Sequence, residues 1–254
     1  MTDLVARLRA AGCVFADEEA ALLLEAGAAD LVDRRCAGEP LEHLLGWVSF
    51  AGRRLAVGPG VFVPRLRTEL MAAVAIARRP AVFVELCCGA APVTAAVEAA
   101  LPHVTTWATD LDPVAVSYAA RNIRGTTAAG DLDEALPTSL LGQVDVIACN
   151  APYVPTDEVQ HLPPEARDHE PRMALDGGTD GLDVIRRAAA CARSWLRPDG
   201  ALLVEVSDGQ VAVAVALFRA AGLRAEVVRD EMCVVVSGVS TAEILDAPRE
   251  VARP

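Results

Sequence analysis

From Glu69 onward, segments with apolar residues at helical spacing alternate with short apolar runs of the kind that form buried strands. The predicted strands are AVFVEL, VTTWATD, VDVIACN and GALLVEVS, with helical segments between them. This alternation predicts an α/β fold, in which a mostly parallel sheet is covered by helices on both faces. The last two runs, LRAEVVRD and MCVVVSGV, are separated by little more than Glu231 and predict an antiparallel hairpin at the sheet edge. A dinucleotide-binding dehydrogenase would instead continue its parallel order.

The first part of the chain has a different pattern. Residues from Thr2 to about Ala37 place leucine and alanine at helical spacing and predict a small helical module. The runs WVSF and RLAV then flank Ala51-Gly52, which predicts a β-hairpin. We therefore predict three units: an N-terminal helical domain over 1-45, a β-hairpin linker over 46-64 and a main domain over 65-254.

Charge and cysteine usage limit the partners and the compartment of the protein. A net charge of -12 repels phosphate backbones, and the scattered arginine doublets form no basic track, so nucleic acid is disfavoured as a partner. Seven cysteines without a CxxC pair, and an N-terminus without the apolar core of a signal peptide, predict a protein of the reduced cytoplasm. No apolar stretch reaches the roughly 18 to 20 residues that span a bilayer, which predicts no membrane partner.

Two predicted strand ends carry residues that suit a small ligand. In VFVELCCGAAP, an acidic strand end at Glu85 leads into a loop with Cys87 and Gly89, where small residues let the backbone approach a ligand closely. ATDLDP places Asp110 at the end of the next strand, where a carboxylate can accept hydrogen bonds from two ribose hydroxyls. The loop has one glycine, so it does not match the GxGxxG dinucleotide fingerprint.

Two further aspartates lie near these strand ends. Asp112 precedes Pro113, and we interpret it as the N-cap of the following helix. The stretch GDLDEAL places Asp131 in a loop, where an adenine amino group could donate to its carboxylate. GDL is a weak signal by itself, because glycine and aspartate are common turn residues.

The stretch CNAPYV, Cys149–Val154, places an asparagine, a proline and a tyrosine where the buried run VDVIA ends. A purely structural interpretation is a strand end capped by an Asx turn and covered by the tyrosine ring. The alternative is a binding motif at the carboxyl end of a parallel strand, the edge at which open α/β sheets hold their ligands.

Taken together, the acidic first strand with its small-residue loop, the ribose aspartate and the polar tetrapeptide resemble class I S-adenosylmethionine-dependent methyltransferases. CNAPYV is similar to the asparagine-proline-proline-tyrosine motif of enzymes that methylate planar amide or amine nitrogens. Three further stretches are similar to the release-factor glutamine methyltransferase family, and the resemblance runs from about Arg34 to Val206. They are RRCAGEPLEHLLGWVSFAGRRLAVGPGVFVPR, TEL at Thr68–Leu70, and EPRMALDGGTDGLDVIRR from Glu170.

The resemblance implies a Rossmann-like class I methyltransferase domain that binds S-adenosyl-L-methionine. It implies methylation of the side-chain nitrogen of a protein glutamine, in a peptide chain release factor. The side-chain carbonyl of Asn150 and the backbone carbonyl of residue 151 would accept the two N–H groups of the substrate amide, and the Tyr153 ring would pack on its plane. The implied catalytic residues are Asn150, Ala151, Pro152 and Tyr153. The implied cofactor-binding residues are Glu85, Cys87, Gly89, Asp110, Leu111, Asp131, Leu132 and Asn150.

Departures from the family pattern keep other functions open. Arg67 in VPRLRTE stands where the family usually has an acidic residue, which motivates a small-molecule N-methyltransferase on the same scaffold. Glu85 replaces the usual aspartate, which motivates a protein that binds S-adenosylmethionine without transferring the methyl group. Adenine methylation in nucleic acid shares the tetrapeptide but conflicts with the net charge of -12. Ala151 replaces the first proline of the motif but retains the backbone carbonyl that the motif supplies.

The remaining polar features are interpreted as structural. The histidines have no HxH or HExxH spacing, so we predict no metal; they are His43, His103, His161 and His169. Cys87 and Cys88 are predicted to be packed small residues of the cofactor loop. The polar, proline-rich stretch PTDEVQHLPPEARDHEPRMALDGG predicts a flap over the active site.

Overall fold

The computed structural model of the protein describes residues 2–240. Its first part contains four short helices, α1 (Thr2–Ala10), α2 (Ala16–Glu25), α3 (Val32–Cys36) and α4 (Leu41–Leu45). Their apolar faces form a small core of their own, which includes Leu8, Ala20, Leu23 and Val32. The predicted helical module is therefore present. The division of the chain into domains at 45 and 64 stays a prediction.

A two-stranded antiparallel hairpin follows, with β1 at Trp47–Phe50 and β2 at Arg53–Ala56. Ala51 and Gly52 both have positive φ, as the tight turn between two strands requires. The hairpin is fixed to the main domain by Asn122, whose Oδ1 accepts from Ala56 N at 2.7 Å. Asn122 Nδ2 also donates to the carbonyl of Ala90, so one side chain connects the hairpin to the loop after the first strand of the main sheet.

The main sheet has seven strands in the order β5-β4-β3-β6-β7-β9-β8. The pairs from β5 to β7 are parallel, and β9 is antiparallel to both β7 and β8. The predicted α/β sheet with a C-terminal antiparallel hairpin is confirmed. The strands are β3 (Val82–Leu86), β4 (Thr105–Asp110), β5 (Thr126–Ala129), β6 (Val144–Cys149), β7 (Leu196–Val206), β8 (Leu223–Arg229) and β9 (Val234–Ser240).

Helices cover both faces of the sheet. Neighbouring residues of a strand point to opposite faces, and here both sets of side chains are apolar and need to be buried. Phe83 and Leu203 belong to one core cluster, whereas Val84 and Leu202 belong to the other. The first cluster is completed by α5 (Glu69–Ala77), α6 (Pro92–Ala100) and α7 (Pro113–Asn122), and the second by α9 (Asp183–Trp195) and α10 (Val211–Ala220).

Two local predictions differ from the structure. The alternation pattern missed β5, because its sequence TTAA is an edge strand without a buried apolar run. Strand β7 begins at Leu196, before the predicted GALLVEVS, and its pairing with β6 shifts register between Val144 and Val146. The predicted flap carries the helix α8 (Pro164–His169) and two short 3-10 turns. Residues 241–254, the end of the predicted main domain, lie outside the described residues.

Candidate active site

The carboxyl ends of β4, β3 and β6 meet at one edge of the sheet, where the strand order changes direction between β3 and β6. Open α/β sheets bind ligands at such switch points, because the loops diverge there and leave a crevice. A cavity of about 690 Å³ occupies this crevice and extends toward the N-terminal helices. All the predicted site residues line it, namely Glu85, Cys87, Gly89, Asp110, Leu111, Asp131, Leu132, Asn150, Ala151, Pro152 and Tyr153.

Glu85 anchors the start of α6. Its carboxylate accepts from the backbone N–H groups of Val93 at 3.3 Å and Thr94 at 2.6 Å, and from the Thr94 hydroxyl. These are first-turn N–H groups that have no partner within the helix, so the carboxylate supplies one. Burial raises the pKa of Glu85 to about 7, against the lowering effect of these hydrogen bonds. Glu85 reaches the cavity, but its polar atoms are engaged with the protein.

The loop between β3 and α6 has an open inner side. Cys87, Gly89 and Ala91 all adopt positive φ, which lets the backbone turn sharply from strand to helix. A Cβ atom added at Gly89 would meet nothing within 4 Å, so the loop leaves space at this point for a ligand. Cys87 lines the cavity, and its Sγ atom lies 3.9 Å from that of the buried Cys149, as expected for packed small side chains.

Asp110 connects the ends of two strands. Its Oδ2 accepts from Gly89 N at 2.8 Å and its Oδ1 from Asp112 N at 2.9 Å. Burial raises its pKa, while the backbone hydrogen bonds oppose this effect. A carboxylate has about four acceptor positions, so two remain for hydroxyl groups of a ligand. Asp112 accepts from Val114 N at 2.8 Å and caps α7, which confirms its predicted structural role.

The third predicted loop carries an ion pair. Asp131 Oδ2 lies 2.7 Å from Arg187 Nη2, and both residues line the cavity. Leu132 has φ 51 and is buried, and its carbonyl accepts from the Thr109 hydroxyl at 2.7 Å. Asp131 is thus held at the cavity wall with its charge balanced by an arginine that lay outside the predicted site.

Asn150 and Tyr153 line the cavity directly after β6. Asn150 Nδ2 donates to the hydroxyl of Thr68 at 3.3 Å. The Tyr153 hydroxyl donates to Glu205 at 3.0 Å and accepts from Arg67 Nη2 at 2.6 Å. Burial and the Glu205 carboxylate raise the pKa of Tyr153 to about 12, so the phenol keeps its proton at neutral pH. The Tyr153 hydroxyl is therefore held by two charged side chains, Arg67 in the turn before α5 and Glu205 in β7.

The backbone after Asn150 is held by a glycine-rich segment. Val154 N donates to Leu175 O at 3.0 Å, and Gly177 N donates to Val154 O at 2.8 Å. A Cβ atom at Gly177 would lie 2.5 Å from the carbonyl oxygen of Pro152, so only glycine permits this approach. The Gln210 side chain also donates to the Tyr153 carbonyl at 2.9 Å. These contacts restrain the backbone of Asn150–Tyr153 from outside the motif.

The predicted flap contacts both the linker and the helical module. The buried carboxylate of Glu170 accepts from Val63 N at 3.0 Å and from Arg65 Nη2 at 2.6 Å. Arg35, which is buried among the N-terminal helices, lies 3.1 Å from Glu165 of the flap. The cavity is therefore bounded by three parts of the chain that are distant in sequence.

Two more side chains of the site, besides Arg187, were missed by the sequence predictions. Glu205 is 1% exposed and contacts three other site side chains, those of Arg67, Thr68 and Tyr153. A signal was present, since Glu205 is a carboxylate within the apolar strand segment LLVEV. Thr68 lay within the stretch TEL but was given no role. Its position beside Asn150 depends on a contact between residues 82 positions apart in sequence.

Comparison with known proteins now assigns the chain to a family. A release factor glutamine methyltransferase from Streptomyces coelicolor is 40% identical over 190 residues, covering 71% of this chain and 67% of that protein. The chain belongs to the release factor glutamine methyltransferase family. A relative with the same name from Geobacter sulfurreducens is 37% identical over 196 residues, covering 76% of this chain and 69% of that protein. The resemblance drawn from the sequence is confirmed, and with it the prediction of an enzyme of this family.

A further relative has a different name. The 4-amino-L-phenylalanine/4-methylamino-L-phenylalanine methyltransferase of Streptomyces pristinaespiralis is 37% identical over 203 residues, covering 75% of this chain and 69% of that protein. No family model matches the chain. Membership in the release factor glutamine methyltransferase family thus rests on the individual relatives.

Solved structures confirm the class I methyltransferase fold of this family member. A methyltransferase from Pyrococcus furiosus aligns with a TM-score of 0.57 at 16% identity, covering 75% of this chain and 90% of that one. A 16S rRNA methyltransferase from T. thermophilus, in complex with AdoMet and guanosine, aligns with a TM-score of 0.55 at 15% identity. The alignment covers 76% of this chain and 49% of that one. At these identities the likeness concerns the fold alone.

Two kinds of feature are absent from residues 2–240. No group of three or more histidine, cysteine, aspartate or glutamate side chains in this range could hold a metal ion. No helix in the same range is long and apolar enough to cross a membrane.

Proposed function

We propose that this member of the family transfers a methyl group from S-adenosylmethionine to the side-chain amide nitrogen of a glutamine in a peptide chain release factor, in the cytoplasm. The observation that carries the proposal is that one cavity is lined by Asp110 as well as by Asn150 and Tyr153. The names of the Streptomyces coelicolor and Geobacter sulfurreducens relatives support the acceptor.

The chain offers a fitting set of groups for S-adenosylmethionine. Asp110 has two unused acceptor positions for ribose hydroxyls, and the open space at Gly89 admits the ligand close to the backbone. Leu111, Leu132 and Asp131 line the same cavity; in the proposal the two leucines supply apolar surface for the adenine, and Asp131 accepts from its amino group. When bound, the cofactor supplies an electrophilic methyl group on a positively charged sulfur.

The acceptor end of the cavity fits a planar amide. An amide nitrogen is a weak nucleophile because its lone pair is delocalised into the carbonyl, so alignment and charge stabilisation must supply the rate. The Asn150 side-chain oxygen and the backbone carbonyl of Ala151 can each accept one N–H of the substrate amide. The Tyr153 ring, held by Arg67 and Glu205, can pack on the amide plane. The product amide becomes far more acidic as the methyl arrives and can lose its proton to water, so no protein base is required.

Mass spectrometry tests this proposal. Purified protein is incubated with S-adenosylmethionine and bacterial release factors, and tryptic peptides are searched for a methylated glutamine. We expect one methyl group on one glutamine, and its absence from every release factor tested would refute the acceptor assignment.

The matched variant for this assay is Asn150→Ala. We expect it to lose transfer by at least about 1000-fold, since it removes an acceptor used in the transition state, while binding of S-adenosylhomocysteine changes only a few-fold. Turnover at the wild-type rate in this variant would refute the proposed role of Asn150 in aligning the substrate amide. A parallel reaction with 4-amino-L-phenylalanine, the compound named for the Streptomyces pristinaespiralis relative, tests the small-molecule alternative.

A further inference from the structure

A chain of hydrogen bonds connects Asn150 to a buried carboxylate. The hydroxyl oxygen of Thr68 lies 3.3 Å from Asn150 Nδ2 and 2.7 Å from Glu205 Oε2. Thr68 and Glu205 are each 1% exposed, so water does not compete for these contacts. Arg67 Nε lies 2.9 Å from Glu205 Oε1, so a guanidinium group pairs with this carboxylate.

The chemistry of Glu205, Thr68 and Asn150 gives this series of hydrogen bonds a direction. An ionised carboxylate only accepts hydrogen bonds, so the single hydroxyl proton of Thr68 must point toward Glu205. The Thr68 oxygen then has only lone pairs to offer to Asn150. The asparagine must therefore present its NH₂ group to Thr68, and its carbonyl oxygen must face the opposite way. An asparagine amide has two nearly isosteric orientations, and here the hydrogen-bond network selects one of them.

We propose that Glu205, acting through Thr68, is a positioning residue that sets the orientation of the Asn150 amide so that Oδ1 faces the acceptor nitrogen. The inference rests on the proposed function, in which that nitrogen carries two N–H groups. In the opposite orientation, Asn150 would direct N–H groups at the N–H groups of the substrate, and no hydrogen bond could form. This hydrogen-bond relay, from Glu205 through Thr68 to Asn150, thus removes an unproductive orientation of the Asn150 amide before substrate binds.

The second oxygen of Glu205 serves the other half of the acceptor end. Oε1 accepts from the Tyr153 hydroxyl at 3.0 Å and from Arg67, while Oε2 accepts from Thr68. One buried carboxylate thereby fixes both the amide that aligns the substrate and the ring that packs on it. Because the two functions use different oxygens, a change at Thr68 tests the orientation of Asn150 without removing the contact to Tyr153.

The test compares Thr68→Val, which keeps the shape but removes the hydroxyl, with Thr68→Ser, which keeps the hydroxyl. In Thr68→Val we expect kcat for release-factor methylation to fall about 10- to 100-fold, while the Kd of S-adenosylhomocysteine stays within about 3-fold of wild type. Thr68→Ser should stay within about 3-fold of wild type in both quantities. The control is Thr106→Val, since Thr106 also donates to a buried glutamate, Glu98, at 2.5 Å but lies outside the cavity lining.

A second readout does not depend on turnover. The side-chain NH₂ protons of Asn150, assigned by their loss in Asn150→Asp, should exchange with solvent more slowly in wild type and Thr68→Ser than in Thr68→Val. The relay is refuted if Thr68→Val keeps its kcat while wild type is active, if Thr106→Val lowers kcat equally, or if the NH₂ exchange rates are unchanged. If wild type methylates no release factor, the proposed function fails, and the exchange rates alone decide whether the relay exists.

Discussion

Replacing Asp110 with asparagine should weaken cofactor binding much more than the same change at Asp112. Asp110 accepts from Gly89 N and Asp112 N, and its remaining acceptor positions face the cavity. Asparagine keeps one oxygen, so its NH₂ group must face either a backbone N–H or a ribose hydroxyl that needs an acceptor.

The size of the effect follows from the hydrogen bonds that are lost. A hydrogen bond to a charged group contributes about 1.5 to 3 kcal/mol. Asp110→Asn removes the negative charge from every hydrogen bond that this side chain accepts, and its NH₂ group can no longer accept at least one of them. We expect a loss of about 2 to 4 kcal/mol, which corresponds to about 30- to 1000-fold weaker binding. Isothermal titration calorimetry with S-adenosylhomocysteine measures this loss directly.

Asp112→Asn is the matched control. Asp112 accepts from Val114 N at the start of α7, and asparagine is about as good an N-cap as aspartate. The affinity of the Asp112→Asn variant for S-adenosylhomocysteine should stay within about 3-fold of wild type. If Asp110→Asn binds within about 5-fold of wild type, or if both variants lose affinity equally, Asp110 is not the residue that holds the ribose.

Two further predictions concern buried carboxylates. Burial raises the pKa of Glu85 to about 7 from 4.5, so its contribution to stability is complete below about pH 4.5 and is lost as pH rises to about 7. Wild type should therefore lose up to about 3 kcal/mol relative to Glu85→Gln between pH 4.5 and 8 in urea unfolding, and parallel pH profiles would contradict this. Glu170→Gln should destabilise the fold by about 2 kcal/mol, because it breaks a buried pair with the partly exposed Arg65. The same change at the half-exposed Glu165 should cost less than about 1 kcal/mol, and equal losses would show that burial of the pair does not matter.

The sequence was sufficient to predict a mostly parallel sheet with an antiparallel hairpin at its edge, but not the weakest strand of that sheet. Strands β3, β6 and β7 were predicted because they are apolar on both faces, as strands between two helix layers must be. Strand β5 lies at the edge and pairs with β4 alone, so its sequence TTAA needed no apolar run. Its existence depends on a neighbour, which periodicity does not report.

A similar limit applies to the site. The residues at strand ends were predictable because parallel strands bring their carboxyl ends to one edge, so each could be identified from its own local motif. Glu205 could not be placed in this way. It lies in β7, and its partners Thr68 and Tyr153 are 137 and 52 positions away in sequence. The role of a carboxylate in a buried strand follows from the groups around it, and only the fold brings them together.

The alanine at position 151 shows how the fold compensates for a change in a motif. Proline at this position would restrict the backbone before Pro152, and alanine gives up that restriction, a difference of about 0.4 to 1 kcal/mol. In the structure Ala151 is buried, and the following residues are held by the ladder between Val154 and the segment around Gly177. The close approach of Gly177 to the Pro152 carbonyl leaves the tetrapeptide little room to move away from the cavity. The stretch ALDGGTDGLD therefore supplies from outside the motif the rigidity that a second proline would supply within it.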